Sequence, residues 1–169
     1  MVSAGAATLL GYLTVQRLSE LGWARRNEAR LLAAGGKEYG REHFPLMVVL
    51  HVAWLVGLWL LGFDRPLVPS FVVLFVALQI ARFWVLATLG RRWTVRVIVV
   101  PGEQLRRDGP YRWLRHPNYA VVIGEIAVVP LALGLPVYAL VFSIVNAAVL
   151  AVRIPAENAV LGVLGGLRK

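Results

Sequence analysis

The sequence predicts an all-α integral membrane protein with about five transmembrane helices and a helical hairpin near its C-terminal end. Three observations carry this expectation. The chain of 169 residues is 59% hydrophobic, with a mean hydropathy of +0.68, too apolar for an ordinary soluble domain. Several runs approach the ~20 apolar residues that a spanning helix needs. The basic residues also fall in alternate loops, the pattern of a multi-pass topology.

The first run, Val2 to about Leu21, is the weakest, interrupted by Gln16, Arg17 and Glu20. It lacks the basic leading region of a cleaved signal and is expected to stay as a first helix. The second, Phe44–Phe63, is clear. The third, Val68 to about Leu89, is broken only by Gln79 and Arg82. Two shorter runs, Tyr119 to about Gly134 and Val137 to about Val152, are separated by Leu135 and Pro136, so a hairpin with almost no loop is expected. Residues 22–43 predict a short amphipathic helix ending at Gly35–Gly36, then a polar turn. "TVRVIVVPG" predicts an extended β-branched stretch closed by Pro101–Gly102.

Arg17, Arg25, Arg26, Arg30, Lys37 and Arg41 flank or fill the first loop. Arg91, Arg92, Arg96, Arg106, Arg107, Arg112 and Arg115 fill the third, and Arg153, Arg168 and Lys169 the tail; the second loop holds only Arg65 and the fourth none. Loops 1 and 3 and the C-terminus are therefore expected in the cytoplasm, and an odd number of spans puts the N-terminus outside the cell membrane. The formal charge of +9 is then read as basic loops facing anionic lipid, with no nucleic-acid partner. Cysteine is absent, which excludes disulfides and thiolate chemistry. The three histidines, His43, His51 and His116, have no metal-ligand spacing, so no metal is expected.

The residues that can carry chemistry begin with "GPYRWLRHPNY", 109–119. Gly109–Pro110 makes a turn, and Pro117 biases His116 away from helix. The stretch should be a shaped, non-helical loop, with Asn118 capping the next helix. Free backbone N–H groups and the His116 ring would then face a carboxylate or phosphate. Arg112 and Trp113 also suit an interfacial belt. A second group is "RIPAEN", 153–158, where Arg153 and Glu157 share a helical face. Pro155 should kink that helix or begin a new one. Inside the apolar runs, Glu125 is expected to pair with Arg82, and Gln79 and Asn146 to join helices. His51 reads as a core histidine or as part of a substrate cavity. Asn27, Glu28, Glu38, Tyr39 and His43 either cover a cytoplasmic pocket or belong to a surface helix.

"GPYRWLRHPNY", a hairpin and then "RIPAEN" resemble the isoprenylcysteine carboxyl methyltransferase family of integral membrane enzymes. "RRNEARLLAAGGKEYGREHFPLMVVLH" resembles a bacterial branch of that family which methylates alkylpyrones or alkylresorcinols. The resemblance implies a five-helix core of one domain, residues 1–169. Residues 1–90 would form three helices, and 91–169 the cofactor-binding and catalytic region. It implies S-adenosylmethionine in a cytoplasmic pocket and a lipid-tailed acceptor entering from the bilayer, with methyl transfer to a phenol, enol or carboxylate oxygen. The cofactor contacts it implies are Glu103, Leu105, Gly109, Tyr111, His116, Pro117, Asn118 and Tyr119. Arg153 and Glu157 take the catalytic positions, and His43 and His51 are candidates for the acceptor. Two departures stand out: the family usually has His where Glu103 stands and a second Glu where Asn158 stands. Sterol and steroid reductases, which bind NADPH, also resemble the chain around "RHPNY". Their Gly-Glu pair, however, follows the Tyr sooner than Gly124–Glu125 follow Tyr119. The sequence leaves the oligomeric state unknown.

Overall fold

The structure, a computed structural model, describes residues 4–41, 44–102 and 106–165, with side chains described as far as residue 160. Val2, His43, Glu103 and Leu105 lie outside the described residues. The elements in order are α1 (Ala4–Ala33), β1 (Lys37–Tyr39), α2 (Phe44–Gly62), α3 (Pro69–Leu89), β2 (Val97–Val99), α4 (Pro117–Ala132) and α5 (Pro136–Gly165). Short 3₁₀ turns occupy Gly90–Arg92 and Gly109–Arg112.

Three helical stretches, Phe44–Gly62, Pro69–Arg92 and Pro136–Val160, are long and apolar enough to cross a membrane. No more than 28% of the apolar window in each is buried within the protein. Their outward faces carry residues such as Val49, Leu60, Val73, Ile80, Leu140 and Ile144, a surface that only an apolar solvent covers without cost. The chain is accordingly a membrane protein. The two other helices differ: α4 is apolar but only 16 residues long, and α1 is too polar.

Helix α4 lies between α3 and α5 and is largely buried. Its Val122, Ile126 and Val129, with Leu133 just after it, pack with Leu10 and Leu13 of α1, Trp54 and Leu58 of α2 and Phe75 of α3. Between α2 and α5 the approach is close. A Cβ at Gly57 would lie 2.2 Å from the Tyr138 hydroxyl, which instead donates to the Trp54 carbonyl at 2.9 Å.

A polar network crosses the apolar interior. Arg82 of α3 donates through Nε to Glu125 Oε1 at 2.9 Å and through Nη1 to Glu20 Oε2 at 2.9 Å. Arg17 binds both carboxylates, Glu125 and Glu20. Gln79 donates to Glu125 at 2.7 Å and accepts from Gln16 at 2.7 Å. The expected Arg82–Glu125 pair is present, and Gln79 joins three helices as anticipated. Residues Gln16, Arg17 and Glu20, which look like interruptions of the first run, are the α1 side of this network.

Several elements depart from expectation. The first run and the amphipathic segment are one 30-residue helix, about 45 Å long at 1.5 Å per residue. Nothing between residues 21 and 33 breaks a helix strongly, since Gly22 alone costs only about 1 kcal/mol. It ends where Gly35 turns left-handed, at φ +85°. The polar turn then contains β1, which pairs antiparallel with β2 in the register Lys37–Val99, Glu38–Ile98, Tyr39–Val97. Helix α5 runs on to Gly165 with Pro155 inside it, neither stopping near Val152 nor restarting. In α4, Pro117 takes the first helical position and His116, not Asn118, is the N-cap. Proline suits that position because its missing N–H is one the helix leaves unpaired there.

Candidate functional site

A cavity of about 780 Å³ opens at the end of the bundle where α1, α3 and α5 meet the β ribbon. That volume suits a small-molecule or cofactor site. The cavity is lined by β2, with Val97, Ile98 and Val99, and by the loop leading into α4. Leu31, Met47 and Leu89, from three different helices, add apolar surface to its lining. The exposed Arg106, Arg107, Arg112 and Arg115 line its rim.

The loop before α4 is held in place by Gly109. Its φ is +55°, and a Cβ there would meet Thr88 Oγ1 at 2.5 Å, so no other residue fits without strain. The 3₁₀ turn at Gly109–Arg112 puts some helical structure into a stretch expected to be non-helical. Tyr111 then points into the cavity. Burial pushes its phenol pKa up and the Glu157 carboxylate pushes it further, so Tyr111 is held as the protonated phenol.

His116, Tyr119, Arg153 and Glu157 come together at the cavity wall. Arg153 Nε donates to the Tyr119 hydroxyl at 2.7 Å, and that hydroxyl donates to Glu157 Oε2. Arg153 Nη2 donates to the Val95 carbonyl at 2.7 Å. The His116 ring stacks on Tyr119, with centroids 5.2 Å apart and planes at 25°. His116 Nε2 lies 2.9 Å from Asn158 Oδ1, and Nδ1 lies 3.9 Å from Glu157 Oε1. With Asn158 Oδ1 as acceptor, Nε2 carries the proton and Nδ1 faces the carboxylate. Arg153 is only 8% exposed, so its charge is directed by these contacts rather than by water. The arrangement can bind an anion at Arg153 and hold or move a proton between Glu157 and a neighbouring hydroxyl.

Of the residues singled out from sequence, Tyr111, His116, Asn118, Tyr119, Arg153 and Glu157 line this cavity. Gly109 and Pro117 shape its backbone. His51 is elsewhere: its Nδ1 is paired at 2.8 Å with the Met47 carbonyl of its own helix, and it does not line the cavity. This corresponds to the core-histidine reading. Sequence reasoning missed Trp93 and the Val95 carbonyl. Trp93 lines the cavity while its indole N–H is buried without a partner. The Val95 carbonyl is main chain, and no residue pattern encodes its use.

Apolar helices with an arginine-rimmed cavity opening at one end of the bundle define a membrane protein with a candidate small-molecule site. The profile of the isoprenylcysteine carboxyl methyltransferase (ICMT) family matches residues 71–162, from the start of α3 almost to the end of α5. The chain belongs to that family, and is thereby a membrane methyltransferase. It is 37% identical over 166 residues to the uncharacterized protein YpbQ of Bacillus subtilis (strain 168), across 90% of this chain and 94% of that one. An uncharacterized protein of Haemophilus influenzae is 28% identical over 160 residues, 86% of this chain and 88% of the relative. No solved structure matches.

Proposed function

We propose that the chain transfers a methyl group from S-adenosylmethionine to an oxygen atom of a lipid-tailed acceptor at the cytoplasmic face of the cell membrane. The observation that carries this is the joining of Arg153, Tyr119 and Glu157 on the wall of a cavity lined by both apolar side chains and arginines. In this reading α1 and α4 also span, giving five spans with an α4–α5 hairpin, an outside N-terminus and a cytoplasmic C-terminus. The basic loops face anionic lipid headgroups.

The cavity's residues fit the cofactor. Its rim arginines suit a carboxylate, the Glu157 carboxylate suits a nearby cation, and β2 and Leu89 offer apolar surface to a base. The unpartnered Trp93 N–H is a spare donor among these groups. Methyltransferases of this family generally use S-adenosylmethionine, which when bound supplies a methyl group activated by a sulfonium. Tyr111, His116, Asn118 and Tyr119 would hold it.

The remaining work falls to the chain. Arg153 orients the acceptor oxygen and stabilises it as an anion. Where the acceptor is a phenol or enol, Glu157 takes its proton, with His116 Nδ1 alongside to share it. A carboxylate acceptor arrives ionised and needs only Arg153. Leu31 and Met47 offer apolar surface to the lipid tail. Since transfer is an in-line displacement, positioning and exclusion of water supply most of the rate.

The test is ligand-induced thermal stabilisation in detergent. A native-state ligand at a hundredfold excess over its dissociation constant adds ~2.7 kcal/mol of stability. S-adenosylhomocysteine is expected to raise the melting temperature of the wild type and to do so less for His116→Ala. Stabilisation by NADPH alone would overturn the reading in favour of a reductase.

A further inference from the structure

The reaction centre has a support from outside the region that matches the family. Helix α1 continues past the apolar bundle for several turns, and two adjacent residues there reach the cavity wall. Asn27, fully buried, donates through Nδ2 to the carbonyls of Gly90 at 3.2 Å and Trp93 at 2.9 Å. Glu28 Oε1 accepts from the main-chain N–H of Val95 at 3.2 Å and of Arg96 at 3.3 Å. Its other oxygen, Oε2, lies 3.8 Å from Arg96 Nε.

The Arg96 N–H and the Val95 carbonyl are two ends of one rigid peptide plane. Glu28 holds the N–H end, and Arg153 Nη2 donates to the carbonyl end at 2.7 Å. A carboxylate on the N–H polarises the peptide and makes its carbonyl a stronger acceptor. A hydrogen-bonded line thus runs from Glu28 through this peptide to Arg153, and on through the Tyr119 hydroxyl to Glu157. We propose that Glu28 is a positioning residue of the reaction centre, setting the orientation of the Arg153 guanidinium through the Val95–Arg96 peptide. The role of Arg153 in that proposal rests on the methyl-transfer reading.

Misplacing a reacting group by about 1 Å costs up to roughly 100-fold in rate. The assay is transfer of a labelled methyl from S-adenosylmethionine into a total lipid extract of the expressing cells. Glu28→Ala is expected to lower kcat by roughly 10- to 100-fold, with the KM for S-adenosylmethionine within about twofold of wild type. Glu28→Gln keeps an oxygen acceptor for both N–H groups and is expected to recover most of kcat. An unchanged kcat in Glu28→Ala, or an equal loss in the two variants, overturns the proposal.

A second arm needs no activity and no change at Glu28. In Arg153→Ala, hydrogen exchange at the Arg96 amide, followed by mass spectrometry, is expected to quicken by about threefold or more. Exchange unaltered by that substitution overturns the line through the peptide. A wild type that transfers no methyl group sinks the methyl-transfer reading instead, and the exchange arm still decides whether Glu28 and Arg153 are linked.

Discussion

Two of the arginine–glutamate clusters among the described residues differ in what they enclose. Arg17, Arg82, Glu20 and Glu125, with Gln16 and Gln79, sit among α1, α3 and α4 and turn their bonds on one another. Two cations answer two carboxylates, and none of the six lines the cavity. Arg153 and Glu157, bridged by Tyr119, share the same chemistry but face open space on one side. Burial of charge alone therefore does not mark a functional site in this chain. Under the proposed function, the mark is a charge pair that lines a cavity.

The comparison is broken most forcefully at Arg82. Arg82→Ala leaves Glu20 and Glu125 to share Arg17 in an apolar interior, and breaking a buried pair costs about 3–5 kcal/mol. Loss of the monodisperse peak and a lower melting temperature in detergent are the expected result. Arg82→Met with Glu125→Met leaves Arg17 paired with Glu20 and is expected to recover most of the loss, because an apolar pair of similar volume replaces a buried ion pair.

Next in size is Glu157→Gln, which touches the open cluster. Folding should survive, while methyl transfer to a phenolic or enolic lipid falls by roughly 100-fold or more, the scale of general acid–base catalysis. A full-rate Glu157→Gln enzyme would make this pair as structural as the other. Gly109→Ala comes third. Forcing a side chain into the left-handed region costs about 1–2 kcal/mol, and the loop holding Tyr111 should shift, weakening S-adenosylhomocysteine binding in a calorimetric titration. Smallest is Arg112→Ala at the exposed rim, expected to change stability by no more than about 0.5 kcal/mol. Its effect should appear as a weaker salt dependence of ligand affinity.

Much of this architecture was legible in the sequence. Helices α2 and α3 follow from long apolar runs, and the Arg82–Glu125 pair from the cost of charge in lipid. His116, Tyr119, Arg153 and Glu157 could be singled out because rings and charges stand beside apolar segments for a reason, whereas Tyr111 came only from the family resemblance. The continuation of α1 was not legible. Its helical signal passes from apolar to charged residues at Gly22, and hydropathy reports that change of surroundings as a boundary. Three-residue β1 depends on a partner strand far along the chain, with Tyr39 opposite Val97 and Lys37 opposite Val99, rather than on its own residues. The use of the Val95 carbonyl depends on tertiary contacts alone. Pro155 left two outcomes open, a kink or a new helix, and the helix does not restart there: one missing hydrogen bond weakens a helix without having to end it.

The closed network also has a history along the growing chain. Arg82 leaves the ribosome 43 residues ahead of Glu125, an interval of roughly 2–9 s at about 5–20 residues per second. During it, Arg17 and Arg82 have only Glu20 between them, a surplus of one positive charge in the partly inserted chain. Helix α3 is then best kept beside the insertion machinery until α4 delivers the missing carboxylate. Nascent chains arrested before α4 emerges are expected to cross-link to that machinery through α3, and those arrested after it emerges to have lost the cross-link.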